Sequence, residues 1–174
     1  MQDFWIFGYG SLIWRPDFPF LESRPGNICH WSRRFWQGSH DHRGTENRPG
    51  RVLTLIEREG KRCHGRAFRV TNEVLAHLDQ REKNGYKRHD VSIQLPSMRV
   101  AGIVYIASQQ NAAFLGDAPL EAIADQICQS EGPSGSNVEY LTKLAEALKD
   151  LRINDDHVFG LDALVRKKLG LDTN

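Results

Sequence analysis

Apolar residues in this 174-residue chain form short, strand-like runs up to about residue 107 and follow helical spacing beyond residue 115. Residues 4–7 are an aromatic and β-branched run that stops at Gly8, which predicts a buried strand meeting a glycine-rich turn. Residues 16–27 hold Pro16, Pro19, Pro25 and Gly26 and are expected to form a loop. Further runs at 28–36, 52–57, 63–70, 87–95 and 100–107 read as strands. Thr71 is a candidate N-cap for a helix from 72 to about 83, closed by Asn84 and Gly85. Pro119 can open a second helix in its first turn, with Leu120, Ile123, Ala124 and Ile127 on one face. A turn at 132–137 leads into a third, where Val138, Leu141, Leu144, Ala145, Leu148 and Leu151 recur at steps of three and four. A last helix near 156–169 carries Val158, Leu161, Val165 and Leu169. Strands precede helices, with one helix interposed, so the expected class is α+β. Neither a repeat nor a low-complexity linker divides the chain, and its length suits a single domain over 1–174.

Composition narrows the picture. Hydrophobic residues make up 40% and charged residues 26%, which is ordinary globular usage. No apolar run approaches the roughly 20 residues of a membrane span. Cys29, Cys63 and Cys128 are odd in number, with no CxxC pair, which favours a reducing compartment over disulfides or a zinc ribbon. The opening MQDFWIFGYG does not read as a signal peptide, so the expected location is the cytoplasm.

Charge and aromatics are unevenly spread. All four Trp, five of eight Phe and one of four Tyr fall in residues 1–36. Residues 15–69 carry twelve Lys or Arg against six Asp or Glu, while 110–174 carry six against eleven. A basic first half suits an anionic ligand. One reading is an arginine-rich nucleic-acid module built on Arg33, Arg34, Arg43, Arg48 and Arg51, with Trp31 and Trp36 as stacking platforms. Against it, acids interleave the arginines, the pI is about 7.8 and no binding motif is present, so no nucleic-acid partner is expected.

Four segments are candidates for chemistry. Gly8-Tyr9-Gly10-Ser11-Leu12 is either a tight turn or a nest of converging N–H groups for an anion; it is neither a dinucleotide fingerprint nor a P-loop. Glu82, at a helix end, is either part of a solvated charge cluster or a general base. The negative end of the helix dipole, together with burial, would push its carboxyl upward toward a useful range. Glu73 lies about 900° away around the same helix and so faces the opposite side. His40-Asp41-His42 lacks a convincing third ligand, so no metal is expected, and Arg43 reads better as a carboxylate clamp. Tyr140 either presents its hydroxyl to a pocket or is a satisfied core tyrosine. Ser11 has no G-x-S-x-G context and no cysteine has a nucleophile signature.

Together these residues resemble the ChaC-type, glutathione-specific γ-glutamylcyclotransferases. The resemblance runs through Phe7-Gly8-Tyr9-Gly10-Ser11-Leu12-Ile13-Trp14, Arg33-Arg34-Phe35-Trp36-Gln37-Gly38-Ser39 and Asp41-His42-Arg43-Gly44. It continues at Pro49-Gly50-Arg51-Val52, Arg81-Glu82-Lys83, Gly85-Tyr86, Phe114-Leu115-Gly116, Ala118-Pro119-Leu120-Glu121, Gly132-Pro133-Ser134-Gly135, Asn137 and Glu139-Tyr140-Leu141. Departures are His40 where Thr is expected, Asn84 where Gly is usual, and a short hairpin at 94–100. The resemblance implies a γ-glutamylcyclotransferase-like fold, a small mixed β-barrel flanked by helices. It implies the Tyr9-Gly10-Ser11-Leu12 loop as the cradle for the γ-glutamyl group and Glu82 as the catalytic acid/base; the expected substrate-binding set is Ile6, Phe7, Gly8, Tyr9, Gly10, Ser11 and Leu12, with Arg43 as counter-charge. It further implies a cytoplasmic lyase that cleaves glutathione to 5-oxoproline and cysteinylglycine without cofactor or metal. Another γ-glutamyl amide or peptide is the alternative substrate.

Overall fold

The computed structural model describes residues 2–82 and 85–171. Its elements run β1 (Asp3–Gly8), β2 (Glu22–Ser39), β3 (Gly50–Thr71), α1 (Asn72–Arg81), β4 (Tyr86–Gln94), β5 (Arg99–Ala107), α2 (Leu120–Gln129), β6 (Glu131–Gly132), β7 (Gly135–Ser136), α3 (Asn137–Asp150) and α4 (Asp156–Lys168). The chain divides into two compact units, one of residues up to Arg33 with Leu55–Ala112, the other of Arg34–Thr54 with residues from 113 on. β2 and β3 contribute a stretch to each.

The first unit is built on a closed barrel in the order β1-β3-β2-β4-β5. β1 lies antiparallel to β3, with Ile6 opposite Phe68, and parallel to β5, with Ile6 beside Ile103. β4 and β5 form an antiparallel hairpin. A mixed sheet closes here without an exposed edge. Alternate residues of the barrel strands point inward and meet one face of α1. Ile6, Phe18, Phe68, Val70, Leu75, Leu78, Ile103 and Tyr105 form that core, with Phe18 set edge-on against Phe68 at 5.5 Å. Burying each large apolar side chain contributes about 1.5–3 kcal/mol.

Two strand boundaries differ from the sequence expectation. The loop expected over 16–27 is shorter, because β2 begins at Glu22 and Asn27 pairs with Gln94 of β4. The runs at 52–57 and 63–70 are one strand, not two. Between them the charged residues 57–62 are exposed, so no alternation marks the ladder, yet it continues. Gly60, with φ +76°, takes up the distortion opposite His30, with φ 69°, and its N–H donates to His30 Nδ1 at 3.2 Å.

α1 starts behind Thr71, which occupies the N-cap position without a side-chain capping bond, and ends at Arg81 with Glu82 as C-cap. Lys83 and Asn84, expected to close this helix, lie outside the described residues.

The second unit packs α2, α3 and α4 together. Their shared core is Ile123, Ala124 and Ile127 from α2, Leu141, Leu144, Ala145 and Leu148 from α3, and Val158, Leu161 and Val165 from α4. Side chains cap two of the helices: Ser136 Oγ accepts the Glu139 N–H at 3.1 Å and Asp155 Oδ1 accepts the Val158 N–H at 3.0 Å. Pro119 stands at the N-cap position of α2 rather than inside its first turn. Leu120 and Leu169, assigned to apolar faces from their spacing, are exposed at the ends of their helices, where the packed face has already run out.

Candidate active site

β1 carries the chain to Gly8, opposite Arg66 of β3, and releases it into Tyr9 and Gly10. A single 3₁₀ turn, Ser11–Ile13, follows, in which the Ile13 N–H donates to Gly10 O at 3.0 Å and the Arg15 N–H to Ser11 O at 2.7 Å. Among the described residues, the N–H groups of Gly10, Ser11 and Leu12 meet no protein acceptor. Gly65 makes the bend at Gly8 possible. A Cβ on Gly65 would stand 2.2 Å from Gly8 O, a distance no side chain tolerates. Ile6 and Phe7 are fully buried and paired with β3, so both serve the core of the barrel. Ser11 and Leu12 are half-buried.

A polar chain joins this turn to the end of α1. The Tyr9 hydroxyl donates to the main-chain oxygen of Tyr105 at 2.6 Å. The Tyr105 hydroxyl donates to Asp79 Oδ1 at 2.7 Å, and Arg88 holds the other Asp79 oxygen at 2.9 Å. Burial and then the Asp79 carboxylate, with Glu82 among the nearby charges, hold the Tyr105 phenol well above its usual range. At neutral pH it is a fixed donor and not a base.

Glu82 follows the last residue of α1, and its side chain is one-quarter exposed. Its N–H donates to Leu78 O at 2.9 Å, and its own carbonyl accepts from the Tyr86 N–H at 3.2 Å. The carboxylate does not face the helix dipole alone. Arg81 lies 3.5 Å from Oε1 and also pairs with Asp17. The carboxylates of Asp17 and Glu82 outweigh burial and raise the Arg81 guanidinium, so this cation is permanent. Glu73 is in the first turn of α1, away from Glu82 along the helix.

Arg43 belongs to the second unit. It is buried, Nη1 donates to Ser136 O at 3.1 Å, its guanidinium lies 5.7 Å from the centre of the Tyr140 ring, and Glu139 is 3.8 Å away. Tyr140 is the satisfied core tyrosine, its hydroxyl accepting the Leu53 N–H at 3.4 Å. Arg51 is also interior, bonded to Phe35 O, Gly116 O and Gln126, while Asn137 bridges its main chain from both sides.

These placements bear on the basic first half of the chain. Arg33, Arg43 and Arg51 are 2%, 4% and 6% exposed, so they cannot form the solvent-facing stripe that a phosphate backbone requires. His42 is exposed beside Asp41, and among the described residues no three His, Cys, Asp or Glu side chains converge as ligands. Two surface grooves of about 420 and 340 Å³ are lined by Cys29, His30, Trp31, Glu57 and Glu59, and by Gln2, Thr71, Asn72 and Glu73. Neither includes Glu82 or the turn.

Sequence reading missed Arg33, Asp79 and Tyr105. Arg33 and Arg34 adjoin in a strand, where successive side chains point to opposite faces, so one of them had to point inward. That signal was available. Tyr105 was hidden in an apolar run, and Asp79 looked like surface charge.

A closed, mixed five-stranded barrel accompanied by helices α1, α2, α3 and α4 is a γ-glutamylcyclotransferase-like fold, shared with the yeast structure described below. The chain belongs to the ChaC-like family, whose model, described as "ChaC-like protein", matches residues 4–168. It is 46% identical to Gamma-glutamylcyclotransferase 2-3 of Arabidopsis thaliana over 93% of this chain and 88% of that one. It is 42% identical to mouse Glutathione-specific gamma-glutamylcyclotransferase 1, over 94% and 77% respectively. A crystal structure of a yeast γ-glutamyl cyclotransferase specific to glutathione superimposes with a TM-score of 0.89 at 31% identity, covering 96% of this chain and 97% of that one. Among the described residues, no helix is long and apolar enough to cross a membrane.

Proposed function

We propose that this protein is a γ-glutamylcyclotransferase that cleaves glutathione to 5-oxoproline and cysteinylglycine. The observation that carries the reading is its match, over nearly all of this chain, to relatives named for that activity; the turn and Glu82 fall in the same compact unit.

The substrate brings its own nucleophile, the α-amine of its γ-glutamyl group. That amine attacks the side-chain amide carbonyl and closes a five-membered ring. At neutral pH it is mostly ammonium, with a free pKa of roughly 8, so a proton must leave first. Glu82 takes that proton and returns one to the departing cysteine nitrogen as the C–N bond breaks. Charge that develops on the carbonyl oxygen is met by N–H groups of the 8–12 segment. Holding amine and carbonyl together supplies several kcal/mol of the barrier through proximity, about 7–11 at the limit.

The test is incubation with glutathione, γ-glutamylcysteine and γ-glutamyl-lysine, with 5-oxoproline measured. Release from glutathione is expected, and release from none of the three rejects the reading. Release only from another γ-glutamyl compound keeps the reaction and changes the substrate.

A further inference from the structure

Among the largest fully buried side chains is a charged one, Arg33. Burying a guanidinium is costly unless its N–H groups find acceptors, and both Nη groups reach main-chain oxygens. Nη1 donates to Tyr9 O at 2.7 Å and Nη2 donates to His64 O. His64 directly precedes Gly65, which leaves room for the Gly8 carbonyl. One planar fork therefore grips both the turn and the strand that supports it. Tyr9 is held at its other end as well, by the bond from its hydroxyl to Tyr105 O. Burial and the Arg33 and Arg62 charges keep the His64 imidazole below its usual range, so near neutral pH it adds no second charge to this grip.

The consequence follows from peptide geometry. In a trans peptide the C=O and the next N–H point in opposite directions, so fixing Tyr9 O toward Arg33 fixes the Gly10 N–H away from it. A cation at the oxygen also polarises the whole amide and strengthens the opposite N–H as a donor. We propose that Arg33 is a positioning residue that holds and polarises the Tyr9–Gly10 peptide, so that the Gly10 N–H meets the reacting γ-glutamyl carbonyl. This rests on the reading of the 8–12 turn as the substrate cradle. Arg33 itself does not touch substrate.

Two full-length proteins test it, with glutathione as the probe. In one, Arg33→Lys keeps a cation but cannot bridge both carbonyls. In the other, the Gly10 amide is replaced by an ester, which removes the N–H. Losing one oxyanion donor costs about 10²–10³ in kcat, and misdirecting it is expected to cost tenfold or more. Arg33→Lys should therefore lower kcat at least tenfold per folded molecule while KM changes by less than threefold. Within the ester protein, Arg33→Lys should cost little more, because the donor it acts through is already gone. If the ester protein retains full kcat, the cradle reading fails. If the ester loses kcat but Arg33→Lys does not, or if the two losses simply multiply, Arg33 is structural and the proposal alone is overturned. A readout on the unaltered chain guards against misfolded variants. The Gly10 ¹⁵N resonance should be displaced downfield by the charge-assisted bond to Tyr9 O, and an ordinary glycine shift there overturns the proposal.

Discussion

At the scale of single residues, Glu82 stands beside Arg81, whose guanidinium lies 3.5 Å from Oε1. Glu82→Gln is expected to lower kcat by about 10²–10⁴, the usual worth of a positioned acid/base, while circular dichroism and Tm stay near those of the parent. Retained turnover would reject Glu82 as the base and leave the reaction to another group. Tyr105 supplies a second test. Its phenol is raised in the folded chain, so the stability it contributes is complete below the unfolded pKa of about 10 and is lost as pH rises through the folded value. Denaturant melts at stepwise alkaline pH should show a decline, of at most about 1.4 kcal/mol per pH unit from this group, that Tyr105→Phe lacks. An identical decline in the variant would sink the assignment.

At the scale of elements, the turn depends on how closely β3 approaches the end of β1. Gly65→Ala would set a Cβ 2.2 Å from Gly8 O, so the strand must move and carry the turn with it. A misplacement of that order costs about 10²-fold in rate, and kcat/KM for 5-oxoproline release should fall accordingly. Gly60→Ala is the matched control. It destabilises by about 1–2 kcal/mol because φ is +76° there, but nothing lies within 4 Å of the added methyl, so kcat/KM should hold. Equal kinetic losses in the two variants would show general destabilisation and no special role for Gly65. The strands themselves show where pattern reading stops. Runs 28–36, 63–70 and 100–107 sit inside observed strands because one face of each is buried, and the run at 87–95 overshoots β4, which ends at Gln94, by one residue. Residues 57–62 carry charge on both faces, so only the backbone ladder could show that β3 is continuous. Expected helix ends erred by a residue or so wherever packing and not a side-chain cap set the boundary, as at Leu120 and Leu169.

For the whole molecule, substrate binding should register as stability. The Glu82→Gln protein cannot consume glutathione at the normal rate, so the ligand acts on it as a lasting stabiliser. At a hundred times Kd it should add about 2.7 kcal/mol, read as a Tm higher by several degrees in a thermal melt. No shift across a wide range of glutathione, together with no 5-oxoproline from the parent protein, would remove glutathione as the ligand.

The crowding of aromatics and arginines into the first part of the chain gains a meaning at this scale. Phe7, Phe18, Phe35 and Trp36 are buried, and Arg33, Arg43 and Arg51 are interior cations bonded to main-chain oxygens. Composition alone allowed a nucleic-acid surface because it counts charges without saying which way they point. The order of residues by itself determined the α+β class, the strand that stops at Gly8, and the motifs that mark the ChaC-like family, because periodicity and turn chemistry are local. Only the tertiary structure decided that Arg33 faces inward beneath Tyr9, that Tyr105 links the turn to Asp79, and that Arg81 stands against both Asp17 and Glu82. Those facts join residues far apart in the chain, and their directions are fixed by barrel closure and burial, which no local pattern encodes.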